Sequence, residues 1–221
     1  MKPRVKVCCI ASVEEAQLAV DAGAAALGLV SAMPSGPGVI DDARIARIAA
    51  AVPPPTDTFL LTARTDALAI ARQHAAARTT TLQLVDQVAP GELQRLRALC
   101  PGVALVQVIH VVGMASVDEA LAAAPLVDAL LLDSGNPALA VRQLGGTGRT
   151  HDWHLSRRIR DAVAPRPVYL AGGLHADNVA QAIGAVQPFG LDLCSRVRTG
   201  GRLDPVLLQA FMQAVERAVA A

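Results

Sequence analysis

The sequence predicts a closed (β/α)8 barrel, and three observations predict it. Short runs that are apolar on both faces alternate with amphipathic stretches along the whole chain, the pattern of buried parallel strands covered by helices. The alternation repeats eight times without a break in composition, which is the number that closes such a sheet on itself. The length of 221 residues fits one such domain over residues 1–221. An open doubly wound sheet is the competing arrangement. No GxGxxG follows the first strand, so the dinucleotide fingerprint of that arrangement is missing.

The elements follow in order. Val5–Ile10 reads as the first strand, and Ser12-Val-Glu-Glu15 is a capping box opening a helix that Gly23 closes. Ala25–Val30 is the second strand; the loop through Pro34–Gly38 leads to a helix over Asp42–Ala51. Pro53-Pro54-Pro55 separates that helix from strand Thr58–Leu61, which precedes a helix over Asp66–Ala77. Strand Thr80–Leu84 and helix Gly91–Leu99 come next, the helix stopping before Pro101. Val103–Ile109 is the fifth strand, and Ser116-Val-Asp-Glu119 reads as a second capping box. Strand Ala129–Leu132 precedes a long loop through Gly145-Gly146-Thr147-Gly148 and a helix near Trp153–Ala162. Strand Val168–Leu170, helix Asp177–Ala185, strand Gly190–Leu193 and helix Pro205–Val219 complete the series.

Composition narrows the function. Apolar residues make up 52% and charged residues 18%, enough to bury a large core. Aromatics are only 2% and the net charge is +1, which argues against nucleic acid as a partner, since stacking platforms and phosphate neutralisation both need more. The uncharged stretches Ala22–Ile40 and Ala98–Val117 are interrupted by prolines and glycines, so neither reads as a membrane span. The expectation is a cytoplasmic protein, not associated with membranes, whose Cys8, Cys9, Cys100 and Cys194 are free thiols. No cysteine or histidine spacing suggests a metal site.

In a barrel the chemistry gathers where the strands end. Cys8 ends the first strand and Asp133 the sixth, while Asp192 lies within the eighth. Lys6 shares the parity of Cys8 and is expected to point inward with it, leaving Cys9 to pack under the helices. A cation beside a thiol favours the reactive thiolate. A thiol base and a carboxyl acid flanking one site suit proton transfer at a carbon next to an imine or carbonyl. Glycine-rich loops follow strands six and seven: Gly145-Gly146 and Gly172-Gly173. Such loops let backbone N–H groups turn toward an oxyanion, and two of them at this end predict a phosphate site completed by Cys194 and Ser195.

The residues also carry a resemblance. Lys6-Val-Cys8-Cys-Ile10, Asp21-Ala-Gly23 through Gly28, Leu131-Leu-Asp133-Ser, Gly145-Gly-Thr-Gly148 with Asp152-Trp153, Leu170-Ala-Gly-Gly-Leu174 with Asn178-Val179, and Asp192 with Ser195 resemble, in order, the motifs of the phosphoribosylanthranilate isomerases. The resemblance implies a TIM barrel of the ribulose-phosphate-binding type and an Amadori rearrangement in tryptophan biosynthesis that uses no cofactor. It implies Asp133 as the general acid that opens the ribose ring and Cys8 as the general base at C2′. It implies a phosphorylated small molecule as partner, and a monomer or homodimer.

The departures from the family pattern gather at the site. Gly38 stands where the pattern has an arginine, Val85-Asp86 where it has His-Gly, Cys9 where it has glycine, His151 where it has phenylalanine, and Arg196 and Arg198 replace Gly and Glu. Arg64 and Arg198, with Arg196, are candidates to replace the missing cation, because guanidinium pairs with carboxylate or phosphate. Gln83 is retained and, with Lys6 and Asp192, is expected to support the substrate. Two other functions remain open from the sequence: isomerisation of a different phosphorylated aminosugar, and a barrel that binds a phosphorylated ligand without catalysis.

Overall fold

A computed structural model of the chain describes residues 2–34, 36–135 and 150–220. Eight strands close into one parallel ring in sequence order: β1 (Arg4–Val7), β2 (Ala26–Val30), β3 (Asp57–Thr62), β4 (Thr81–Leu84), β5 (Ala104–His110), β6 (Ala129–Asp133), β7 (Val168–Leu170) and β8 (Gly190–Leu193). The helices between and after them are α1 (Val13–Asp21), α2 (Asp42–Ala51), α3 (Ala67–Ala77), α4 (Pro90–Leu99), α5 (Ala115–Ala123), α6 (Trp153–Ala162), α7 (Val179–Val186) and α8 (Pro205–Ala220). A 3₁₀ turn, Ser195–Val197, and the two-residue strands β9 (Arg198–Thr199) and β10 (Arg202–Leu203) lie between β8 and α8.

The apolar residues sort by parity into two cores, as a pleated ring requires. Val5, Val7, Leu27, Leu29, Leu60, Leu82, Leu84, Leu105, Ile109, Leu130, Leu132 and Leu191 face outward against the helices. Ala26, Val30, Phe59, Leu61, Val106, Val108, Ala129, Leu131 and Tyr169 fill the inside. Two of the five aromatics lie there: Phe59 and Tyr169 meet edge to face at 6.0 Å, and Tyr169 also meets the exposed Phe189 at 5.4 Å. A Cβ at Gly190 would overlap the Tyr169 ring, so that glycine makes room for the plug.

Local signals behave as the sequence suggests at α1. Ser12 Oγ accepts from Glu15 N at 3.2 Å, and Glu15 Oε2 accepts from Ala11 N at 3.0 Å, a capping box displaced by one residue on its return leg. The second expected capping box does not form. Ser116 lies inside α5, buried, and donates from Oγ to His110 O at 3.1 Å while accepting from Val112 N at 3.2 Å. Its hydroxyl therefore secures the end of β5, because the chain turns into α5 before reaching it. No helix among the described residues is long and apolar enough to cross a membrane.

Candidate active site

The strand ends position the site. Cys8 continues β1, its N–H donating to Leu193 O of β8 at 2.8 Å. Asp133 closes β6, in register with His110 of β5. Cys8, Val85, His110, Asp133, Ala171 and Cys194 thus stand around the C-terminal mouth, where a barrel's loops leave room for a ligand. Ser134 donates from N to Asp133 Oδ1 at 2.7 Å, which orients the carboxyl at the strand end.

One layer below the mouth lies a buried ion pair. Lys6 and Asp192 are in register across β1 and β8, and Nζ sits 2.8 Å from Oδ2 with the lysine side chain 0% exposed. The Phe59 ring lies 5.3 Å from the ammonium and adds a cation–π attraction. Burial alone opposes charge on Lys6, but Asp192 and the sulfur of Cys8 outweigh it and hold the ammonium above its ordinary pKa. Burial raises Asp192, with Lys6 pulling it down only in part and Asp133 adding to the rise. A Cβ at Gly28 would lie 2.8 Å from Cys8 Sγ and 3.2 Å from Lys6 Nζ. The bare backbone of β2 is therefore what lets the thiol and the ammonium stack inside the ring.

Cys9 overturns the expected alternation. Its φ is +64°, a left-handed conformation that breaks the strand's two-residue period. The side chain packs with the residues inside the ring rather than under the helices. Its sulfur shares a 2.6 Å hydrogen bond with Cys194 and lies 3.5 Å from Pro37 O; both thiols are free. The hydrogen bonds with Cys194 and Cys8, together with burial, push the Cys9 thiol well up. The Cys9 hydrogen bond outweighs burial and, aided by the charge of Arg198, brings Cys194 down.

Arg198 is committed elsewhere than to a ligand. Its Nη1 pairs with Glu15 Oε1 at 3.2 Å, and its Nη2 donates to Cys8 O at 3.0 Å and Cys9 O at 2.6 Å. The side chain is 8% exposed. Through these bonds its Nη donors clamp the end of the first strand to α1. Glu15 also accepts from Leu203 N at 2.9 Å, so one carboxylate ties together the cap of α1, β10 and this arginine. Arg64 and Arg196 are exposed on the loops after β3 and β8, and Ser195 is exposed beside Arg196.

Of the expected phosphate residues, Gly172 and Gly173 follow β7 with φ of +86° and +62°. Their loop is fixed by Asn178, which donates from Nδ2 to Gly173 O at 3.0 Å and accepts from His175 N at 2.9 Å. Cys194 and Ser195 adjoin it at the end of β8. Gly145 and Gly146 lie outside the described residues. Gln83 is buried inside the ring on β4, below the mouth, with its Oε1 unpartnered among the described residues. Among the described residues no group of three or more His, Cys, Asp or Glu is arranged to hold a metal ion.

Two histidines lie beside Asp133: His110, which was not singled out from the sequence, and His151, noted there only as a departure from the family pattern. His110 is 6% exposed and its Nε2 lies 3.0 Å from Val85 O. It has the inward parity of Val106 and Val108; ending the strand at Ile109 hid it. His151 Nε2 lies 2.7 Å from Ser156 Oγ. Burial lowers its pKa, partly offset by the charges of Asp133 and Asp152.

Comparison with known proteins accords with this geometry. The family model for N-(5'-phosphoribosyl)anthranilate (PRA) isomerase matches residues 5–214. The chain belongs to that family. The N-(5'-phosphoribosyl)anthranilate isomerase of Haloferax volcanii is 38% identical, over 97% of this chain and 94% of its own. That of Methanocella arvoryzae is 34% identical, over 96% and 97%. The crystal structure of the Thermotoga maritima phosphoribosyl anthranilate isomerase superposes with a TM-score of 0.83 at 26% identity, over 97% of this chain and 99% of that one.

Membership gives the departures a physical reading. The family's glycine after the cysteine suits the left-handed conformation that Cys9 adopts at φ +64°. The loop after β2 then accommodates the Cys9 side chain with Gly38, whose built Cβ would lie 2.5 Å from Cys9 Cβ. An arginine at position 38 and a side chain at position 9 exclude one another. Where the family pattern has a histidine, this chain has Val85, and the ring bonded to the Val85 carbonyl is His110 on the neighbouring strand.

Proposed function

We propose that this isomerase converts N-(5'-phosphoribosyl)anthranilate to the carboxyphenylamino-deoxyribulose phosphate by an Amadori rearrangement, a step of tryptophan biosynthesis. The observation that carries the mechanism is the inward placement of Cys8 and Asp133 at one mouth, with the Lys6 ammonium beneath the thiol. Asp133 gives its proton to the ribose ring oxygen as the C1′–O bond breaks, and the nitrogen lone pair forms the Schiff base. Cys8, as thiolate, removes the proton from C2′; the electron pair moves to C1′=C2′ and neutralises the iminium, giving an enolamine. Tautomerisation of the enolamine yields the ketone.

The phosphate is held by the glycine loops, Gly145-Gly146 and Gly172-Gly173, with Cys194 and Ser195. Gly172-Gly173 supports this reading by its left-handed backbone and its clamp through Asn178. Lys6, Asp192 and Gln83 support the substrate from below, and Arg64 and Arg196, exposed on the loops after β3 and β8, are the remaining candidates to meet its carboxylate. One solved relative is described in complex with reduced 1-(o-carboxyphenylamino)-1-deoxyribulose 5-phosphate, a phosphorylated compound of this type. Another is described as dimeric; this chain acts in the cytoplasm as a monomer or homodimer.

Loss of anthranilate-type fluorescence on mixing the protein with freshly made phosphoribosylanthranilate tests the proposal. Cys8→Ser and Asp133→Asn should each reduce kcat at least a hundredfold, since positioned acids and bases contribute about 10²–10⁴. Absence of turnover by the unaltered protein would refute the substrate, and turnover in either variant at the unaltered rate would refute its role.

A further inference from the structure

The ring of His110 is held in one orientation by a partner that can only accept. A carbonyl oxygen has no proton to give, so Nε2, 3.0 Å from Val85 O, carries the hydrogen. In its neutral form the ring then presents a lone pair at Nδ1. That atom is buried and has no hydrogen-bond partner among the described residues, although unmatched buried polar groups are uncommon and costly. The residue is on the inward parity of β5, at the last position before the loop, in register with Asp133. Its backbone is fixed as well, since Ser116 Oγ donates to His110 O at 3.1 Å. A held ring with an unused acceptor beside the general acid is suited to a ligand group that donates.

We propose that His110 is a specificity-determining residue whose Nδ1 accepts a hydrogen bond from a sugar hydroxyl of the bound substrate. This rests on the proposed isomerase reading, in which Asp133 meets the ribose ring oxygen. The phosphate and the aromatic carboxylate of that substrate are acceptors, so a lone pair repels both. The ribose hydroxyls, on C2′ and C3′ of the ring that Asp133 opens, are donors. The interaction orients the sugar and moves no proton in the reaction. It also discriminates: a ligand lacking the hydroxyl leaves a buried acceptor unmatched, which weakens its binding.

Two isosteres separate the ring's two nitrogens. In His110→Asn the amide oxygen stands near the position of Nδ1, and the bond to Val85 is lost. In His110→Gln the amide N–H stands near the position of Nε2, and the acceptor is lost. Steady-state turnover of phosphoribosylanthranilate should show KM raised about tenfold in the glutamine variant, about 1.4 kcal/mol at 25 °C, with kcat within about threefold. The asparagine variant should keep KM within about threefold of the unaltered protein. Calorimetric binding of reduced carboxyphenylamino-deoxyribulose 5-phosphate should follow the same order, and it needs no turnover. If the unaltered protein does not turn the substrate over but the analogue shows this order, the isomerase reading falls and the His110 contact stands. Equal KM and Kd in both variants, or a larger loss in the asparagine variant, overturns the contact. Both variants should melt within a few degrees of the unaltered protein and of each other; a selective loss of folding in the glutamine variant would instead make His110 a structural residue.

Discussion

Replacing Gly38 by alanine measures how one added side chain on the first strand reshaped the loop after the second. Gly38 has a φ of +78°, and a Cβ there would lie 2.5 Å from Cys9 Cβ, 3.0 Å from Cys9 Sγ and 3.0 Å from Cys9 Cα. The left-handed backbone alone costs an alanine about 1–2 kcal/mol. Forcing a methyl into occupied space costs about 1–3 kcal/mol more, so Gly38→Ala should destabilise by about 2–5 kcal/mol in total. For a chain of this size each kcal/mol lowers Tm by about 2–4 °C. In a Cys9→Gly background the overlap with Cβ and Sγ disappears and only Cα remains close, leaving roughly the backbone cost of about 1–2 kcal/mol. Cys9→Gly by itself relieves a residue at φ +64° while giving up a small buried side chain, two effects of about 1 kcal/mol each that oppose. Urea unfolding of the four proteins closes a double-mutant cycle with an expected coupling of about 1–3 kcal/mol. Independent sites add within about 0.5 kcal/mol. Additivity at that level would refute the steric exclusion, and with it the explanation of why this chain has lost an arginine at position 38.

Gly28→Ala should reduce kcat at least tenfold while the fold persists, because the new Cβ would stand 2.8 Å from Cys8 Sγ; unchanged kcat with cooperative melting would show that the thiol has room to spare. Lys6→Met leaves Asp192 buried without its partner, so it should cost about 3–5 kcal/mol in chemical denaturation. Because the folded-state pKa of Lys6 is raised, its stabilisation is complete below the ordinary lysine value of about 10.4. It is lost as pH rises from there through the folded value; a Lys6 contribution that already fades between pH 7 and 9 would contradict this. Arg198→Met should lower stability by about 3 kcal/mol, since it removes the cation paired with Glu15 and the donor to the carbonyls of Cys8 and Cys9, and should leave KM for phosphoribosylanthranilate within about threefold. A tenfold rise in KM with unchanged melting would return the guanidinium to the ligand.

The ring of eight strands was legible because its cause is local: runs apolar on both faces need cover on both sides, and α6 follows its predicted bounds at Trp153–Ala162 to the residue. The Gly172-Gly173 loop after β7 and the strand-end polar residues were legible for the same reason, being fixed by their place in the repeat. Lys6, Cys8 and Asp133 fall inside the ring as their parity requires. Parity fails at Cys9 because one left-handed residue reverses the side on which a chain presents itself, and that turn depends on Cys194 and Gly38, distant in sequence. A serine three residues before a glutamate is a helix cap only if the helix starts there; at Ser116 the start was set by the path of the chain out of β5.

The chain alone determined that Lys6, Cys8 and Asp133 point into the barrel, since a two-residue period and an eightfold repeat leave few alternatives. Only tertiary structure decided what the cations do there. Nothing in the sequence distinguishes Arg198 held by Glu15 and the carbonyls of Cys8 and Cys9 from Arg64 exposed at the rim, because a charge is assigned by its nearest partners, and those lie 183 residues apart in one case. The same holds for His110, whose Val85 partner, 25 residues away in sequence, becomes its neighbour only when the strands pair.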